Sequence, residues 1–179
     1  MSLQEMVEKH IRNIPDFPKP GIQFKDITPL LANPEAFIHT IDWMAEQVPQ
    51  KPDKIAAMES RGFIFAAALA YKLQVGFVPI RKPGKLPFET HSAKYELEYG
   101  FDVLEIHTDG VLNGEKVVIV DDVLATGGTA SAAIDLIRKS GAEVEKLIFL
   151  MELTFLKGKE KLLSQNLSKN QVIALLKYE

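Results

Sequence analysis

Hydrophobic and polar positions along this chain recur with two periods, and the switches between them mark out its elements. Ser2 and Glu5 have the spacing of a capping box. Leu3, Met6, Val7, His10 and Ile11 then repeat at helical spacing, which predicts a first helix ending near Arg12. The stretch "IPDFPKPGIQFKDITPLL" has four prolines and a glycine, which argue against any regular helix there. Its interleaved Phe17, Ile22, Phe24 and Ile27 mark it as packed chain, not a free linker. Asn33-Pro34 reads as a cap with a first-turn proline, opening a helix to Val48 whose apolar face is Phe37, Ile38, Ile41, Met44, Ala45 and Val48.

From there apolar strands and amphipathic helices alternate. "KIAAM" (54–58), "VGFVPI" (75–80) and "KVVIVD" (116–121) read as buried strands, with helices at 62–73 and 128–141. "EVEKLIFLMEL" and "QVIALLKY" add two more strands, with a short basic helix from about 156 to 163 between them. Such alternation predicts an α/β fold with a parallel sheet and right-handed crossovers, in one domain spanning residues 1–179.

"RKPGKLPFETHSAKYELEYG" (81–100) breaks the alternation with about twenty mostly polar residues. A connection longer than ~12–15 residues in a compact domain is usually a functional lid or disordered. "KYELEYGFDVLEIH" alternates about Tyr-Gly, so its second half is expected to form a hairpin. An ornamental surface hairpin is the plain alternative, weakened by the cations at its start.

Composition narrows the function. The 179 residues carry a net charge of -3, which gives no global basic field for nucleic acid or an anionic membrane. With no cysteine there is no thiolate chemistry, no disulfide and no cysteine-based zinc site, which fits a reducing, cytoplasmic setting. No apolar run approaches the ~20 residues of a membrane span. His10, His39, His91 and His107 show no spacing for a metal.

The chemistry concentrates in "KVVIVDDVLATGGTA" (116–130). Ligands of open α/β sheets sit beyond the carboxyl ends of strands, where Asp121 and Asp122 are expected. Gly127, Gly128 and Thr129 open the next helix, so backbone N–H groups and the helix dipole can cradle a phosphate, helped by the hydroxyls of Thr126 and Thr129. Two acids beside a phosphate cradle make sense for a sugar phosphate. Carboxylates accept hydrogen bonds from vicinal hydroxyls, and they would repel a second phosphate in the same place.

An apolar strand followed by Asp-Asp-x-x-Ala-Thr-Gly-Gly-Thr resembles the phosphoribosyl-pyrophosphate motif of the type I phosphoribosyltransferases. "PDFPKPGIQFKDITPLL", "ESRGF" (59–63), "RKPGKLP…YELEYG" and "MELTFLKGKEKL" are similar to the members that use adenine. The resemblance implies the type I fold, with a mostly parallel sheet flanked by helices, an N-terminal hood over about 1–33 and a flexible lid over about 81–107. It implies a purine salvage enzyme converting adenine and 5-phosphoribosyl 1-pyrophosphate to AMP and pyrophosphate. The active unit would be a cytoplasmic homodimer, with Mg2+ bound mainly through substrate and water and no protein ligand.

Residue by residue, the resemblance gives Asp121, Asp122, Ala125, Thr126, Gly127, Gly128 and Thr129 to the ribose and 5-phosphate. Glu59, Ser60, Arg61 and Gly62, with Arg81, Lys82 and Lys85 from the lid, go to the pyrophosphate, and Arg61 counts as catalytic. The family's cis peptide would fall at Glu59–Ser60, and Arg81 would reach toward a neighbouring subunit's site. Phe24 would stack on adenine with Leu153 on the other face, while the main chain of Gln23 and Lys25 reads its edge. Gln23 and Lys25 stand where relatives often have an aliphatic residue and an arginine, and "PFET" departs from the lid's usual small residues. On residues alone either Glu96 or Glu98 could carry the proton; the glutamate before Tyr-Gly in the family's pattern is Glu98.

Two other classes share these motifs, namely a sister enzyme for another base and a regulator that senses phosphoribosyl pyrophosphate. Arg81, Lys82, Lys85 and Lys94 give the lid a trypsin test. Phosphoribosyl pyrophosphate with magnesium should slow cleavage within 81–94, and adenine alone should protect much less. Equal rates in all conditions, by limited proteolysis and mass-spectrometric mapping, would rule out a substrate-ordered lid.

Overall fold

The computed structural model describes residues 1–48, 50–96 and 100–179. Two compact units make up the chain, Met1–Glu46 and Gln47–Glu179.

In the first unit, the capping box forms as the sequence implies. Glu5 N donates to Ser2 Oγ at 3.2 Å and Ser2 N to Glu5 Oε2 at 2.7 Å, opening α1 (Leu3–Glu8). The helix stops short of Arg12, because Arg12–Pro15 (β1) pairs antiparallel with Gln23–Asp26 (β2). Arg12 lies opposite Asp26 and ion-pairs with it at 3.8 Å, so cross-strand pairing overrides the helical periodicity. Phe17 and Phe24 meet edge-to-face at 5.0 Å on this hairpin.

A short helix does form inside the proline-rich stretch, contrary to expectation: α2 (Thr28–Ala32). Pro29 lies in its first turn, where the missing N–H has no intrahelical role. Asn33 Oδ1 then accepts from Ala36 N at 2.9 Å and caps α3 (Pro34–Glu46). The buried face of α3 is Ala36, Thr40, Ile41 and Met44, whereas Ile38 is exposed. The first unit therefore runs past residue 33 to include α3, which packs on α1 and α2.

The second unit is built on a five-stranded parallel sheet, ordered β4-β3-β7-β8-β9. These strands are β3 (Lys54–Met58), β4 (Gly76–Ile80), β7 (Lys116–Leu124), β8 (Glu143–Leu153) and β9 (Val172–Tyr178). Helices α4 (Arg61–Leu73), α5 (Gly128–Lys139) and α6 (Gly158–Leu163) accompany them. Val117 to Val120 are fully buried, as expected of a parallel strand covered on both faces. Val117 and Ile119 share a core with Ala130, Ile134 and Ile137 of α5. Strand β7 runs three residues beyond its predicted end at Asp121, because Val123 and Leu124 still pair with Met151 and Glu152.

In chain order these five strands read 2-1-3-4-5 across the sheet, so the order reverses between β3 and β7. A crevice forms at the carboxyl ends of strands where the order reverses. The junction of β3 with α4 carries the "ESRG" motif, and the end of β7 with its junction to α5 carries "DDVLATGGT".

The interrupting segment is a separate antiparallel hairpin, β5 (Thr90–Glu96) with β6 (Phe101–His107), whose loop includes the undescribed 97–99. It is better anchored than its polar sequence implies. Leu104 and Ile106 are 2% and 0% exposed in the main core, and β5 packs along α5. An isolated bridge between Arg81 and Glu105 ties its second strand to the end of β4.

Helix α6 begins hard against the glycine loop. A Cβ at Gly127, where φ is +79°, would lie 2.8 Å from Gly158 O, and one at Gly158 would overlap Ala125 O. Both partners are backbone and cannot swing aside. Gly158→Ala should therefore push the loop out of place, costing about 1–3 kcal/mol of stability. Denaturant melts would read that loss, and calorimetry should show ribose 5-phosphate binding weakened with it. A variant with unchanged stability and binding would mean that the loop has slack there.

Candidate active site

A cavity of about 260 Å³ lies at the β3/β7 crevice, lined by Glu59, Ser60 and Arg61 from one loop and Asp121 to Ala130 from the other. It gathers Asp121, Asp122, Ala125, Thr126, Gly127, Gly128 and Thr129 with Glu59, Ser60 and Arg61. Two motifs sixty residues apart in sequence thus share one wall. The peptide between Glu59 and Ser60 is cis, as the resemblance implies.

Arg61 opens α4 and reaches Asp122, Nη2 to Oδ2, at 2.5 Å. The Asp122 side chain is 4% exposed and that of Arg61 33%, so the pair spans from buried acid to accessible cation. Beside it, Asp121 Oδ1 accepts from Asp122 N at 2.9 Å. Gly62 follows Arg61 in the first turn, and a Cβ there would come within 2.7 Å of Asp121 Oδ1. That glycine keeps the helix close to the acids.

Burial pushes the Asp121 carboxyl well above the usual carboxylate range, and the neighbouring Asp122 raises it further. Burial also raises Asp122, with the Arg61 guanidinium pulling the other way. Two neighbouring carboxyls next to a single arginine are an unfavourable arrangement of charge. Ligand hydroxyls that donate to them would relieve it.

The far side of the cavity is the start of α5. Gly127 is its left-handed N-cap residue and makes no side-chain cap bond. The first amides of α5 therefore point into a pocket with the positive end of the helix dipole behind them. An anionic oxygen there meets backbone donors without needing a basic side chain.

The lid cations are not among the residues lining the cavity, and Arg81 and Lys82 are each engaged by an acid. Glu59 takes Arg81 at 3.4 Å and the amide of Lys82 at 2.7 Å. Burial alone would raise the Glu59 carboxyl, but that amide and the charges of Arg81 and Lys85 outweigh it and hold it low. Glu59 thus uses its carboxylate to fix the base of the lid, a role its motif does not announce. Lys82 Nζ lies 3.0 Å from Asp102 Oδ2. Lys85 is exposed, and its carbonyl accepts from Arg81 Nη1 at 3.4 Å.

Gln23, Phe24 and Lys25 are consecutive on β2 of the first unit, and Leu153 ends β8 of the second. Glu98 lies outside the described residues. Sequence reasoning missed Gly158, Asp102 and Tyr95. Gly158 had a visible signal, a glycine between two lysines at a predicted helix start; the other two needed the hairpin register. Among the described residues no group of three or more His, Asp or Glu side chains could hold a metal.

The comparisons with known proteins agree with this geometry. A family model described as a phosphoribosyl transferase domain matches residues 26–171. A protein of Thermoanaerobacter sp. named adenine phosphoribosyltransferase is 60% identical over 163 residues, 90% of this chain and 94% of that one. The crystal structure of the adenine phosphoribosyltransferase of Thermoanaerobacter pseudethanolicus superposes with a TM-score of 0.92 at 55% identity, covering 99% of this chain and 100% of that chain. The Saccharomyces cerevisiae enzyme, solved with an imino-altritol bisphosphate and adenine, gives 0.90 at 41% identity over 97% of this chain and 98% of that one. With the motifs, the crevice and the relatives in agreement over nearly the whole length, the chain belongs to the phosphoribosyltransferase family, among the adenine phosphoribosyltransferases.

Proposed function

We propose that the cavity at the β3/β7 crevice is where this enzyme binds phosphoribosyl pyrophosphate while converting it, with adenine, to AMP and pyrophosphate. One observation carries the placement: Asp121, Asp122 and the Ala125–Thr129 loop share a single wall with Ser60 and Arg61. The α5 N-terminus suits the 5-phosphate, the two acids suit the ribose 2- and 3-hydroxyls, and Arg61 suits the pyrophosphate. Arg81, Lys82 and Lys85 then close on the pyrophosphate from the lid.

Bond breaking at the anomeric carbon leaves positive charge on the ribose and negative charge on the departing pyrophosphate. Arg61 and the lid cations stabilise the second charge, more strongly as closure removes water. Asp121 and Asp122 hold the ribose so that the anomeric carbon faces the base. Glu98 serves as the acid/base that takes the proton from the adenine imidazole ring. Magnesium belongs to this reading as an ion carried on the pyrophosphate and ribose oxygens, where it neutralises charge. The pocket fits that role: among the described residues its lining carboxylates are Glu59, Asp121 and Asp122, and two of the three are already held by arginines.

On the adenine side, the resemblance supports Phe24 as the stacking ring and the main chain of Gln23 and Lys25 as reading the base edge. Gln23 and Lys25 are two residues apart on one strand, so their backbone groups face the same edge, which supports a paired donor and acceptor. We also read the active unit as a cytoplasmic homodimer, on the family resemblance.

Incubation of phosphoribosyl pyrophosphate with adenine, hypoxanthine or guanine separately, with nucleotide detection, tests the function; AMP should be the main product. Formation of another nucleotide in preference would move the enzyme to a sister branch.

Removing either aspartate charge should weaken phosphoribosyl pyrophosphate binding by about 1.5–3 kcal/mol, the worth of a charge-assisted hydrogen bond. The stability of the two variants should diverge. The folded-state pKa of Asp121 is raised, so its stabilisation is present at acid pH and lost as pH rises through the folded value. Asp121→Asn removes that loss and should melt higher than wild type at neutral pH, the gap closing toward the unfolded pKa of ~3.9. Asp122→Asn removes the charged half of the ion pair with Arg61 and should bring no such gain. Unchanged affinity in both variants, by calorimetry, would remove the aspartates from the site.

The acid/base assignment has its own test. Glu98→Gln should lower kcat about a hundredfold with substrate affinity little changed, and Glu96→Gln should be nearly silent. A reversed ranking would put the proton on Glu96.

A further inference from the structure

The three best-placed cations for pyrophosphate are each held by a carboxylate of the protein. Arg61 has Asp122 at 2.5 Å, Arg81 has Glu59 at 3.4 Å, and Lys82 has Asp102 at 3.0 Å. Two of these acids come from the pocket's own motifs. The third, Asp102, lies in neither motif and is supplied by the hairpin.

We propose that Asp102 is a positioning residue for the pyrophosphate end of the reaction, the resident counter-ion of Lys82 that pyrophosphate displaces. The inference rests on the reading of Lys82 as a pyrophosphate ligand. It is carried by the hairpin's construction. Asp102 on β6 lies directly opposite Tyr95 on β5. Asp102 Oδ1 accepts from Val103 N at 2.8 Å, which fixes the carboxylate plane. The other oxygen, Oδ2, accepts from Tyr95 Oη at 3.3 Å and faces Lys82 Nζ at 3.0 Å. Tyr95 in turn packs against the core and meets the hydroxyl of Thr129 at the phosphate cradle. Lys82 is thus anchored, through two hairpin side chains, to the loop that binds the other end of the substrate.

Each partner has a distinct effect on the lysine. Asp102 competes with pyrophosphate for the same ammonium group. Tyr95 competes with Lys82 for the same carboxylate oxygen and so loosens Asp102's hold. The direct hydrogen bond from Lys82 keeps Asp102 ionised and lowers its pKa, consistent with a working ion pair. The Lys82 side chain is 57% exposed, so the pair is weak enough for a dense anion to displace.

Calorimetric titration with inorganic pyrophosphate and magnesium tests this, on variants first checked for unchanged melting. Asp102→Asn should bind pyrophosphate about fivefold tighter, the upper worth of an exposed ion pair, with AMP affinity unchanged. The gain should shrink at high salt and vanish when Lys82→Ala is added. Tyr95→Phe, which keeps the ring but drops the hydroxyl, should act in the opposite direction and weaken pyrophosphate about twofold. Pyrophosphate affinity unchanged or weaker in Asp102→Asn would overturn the counter-ion role, as would a gain that survives Lys82→Ala. Failure of the wild-type enzyme to bind pyrophosphate at all would instead sink the reading of the pocket.

Discussion

The ion pair between Arg61 and Asp122 makes one site out of two strand ends. Arg61 follows β3 and Asp122 lies near the end of β7; parallel pairing of these neighbouring strands brings their ends together, and the reversal of strand order between them opens the crevice. The pairing has a requirement on each side. Asp122 is almost fully enclosed and needs a cation to remain charged. Arg61 stays partly accessible, as the proposed pyrophosphate role requires. A glycine at position 62 lets the helix start close enough to satisfy both.

The same logic extends outward from that pair. An enzyme that binds a highly charged substrate needs several cations together, and cations gathered without partners repel one another. Here Arg61, Arg81 and Lys82 are matched by acids, and the acids are graded by burial from Asp122, through Glu59, to the more open Asp102. On the proposed reading the substrate would exchange one set of ion pairs for another, and like charges are not held together while the site waits. Exchange of this kind lowers affinity and favours release, which suits a group that must leave as product.

Much of this was legible in the sequence, for identifiable reasons. Buried parallel strands read as continuous apolar runs, so β3 and β8 emerged with their observed bounds, and the Thr-Gly-Gly-Thr segment announced a helix that begins without a side-chain cap. Local signals failed where long-range pairing decided the outcome. Arg12 left its helix for a strand partner at Asp26, and β7 ran on because Leu124 had Glu152 to pair with. The hairpin looked like a loose polar insertion because its buried anchors, Leu104 and Ile106, alternate with charged and polar residues. Asp102 and Tyr95 could not have been singled out, since their meaning depends on which hairpin residues face each other.

The contact of Gly158 with Ala125 and Gly127 has a consequence for the order in which the molecule is made. The cradle and the segment that backs it are about thirty residues apart in the chain, with all of β8 between them. On the ribosome, the glycine loop emerges with one flank uncovered and acquires its rigid support only when β8 has been laid down and α6 has followed. The finished shape of the loop, and with it the proposed phosphate binding, is therefore a late event in the life of the nascent chain. A fragment ending after β8 would carry every residue of the central motif and still lack the wall behind it.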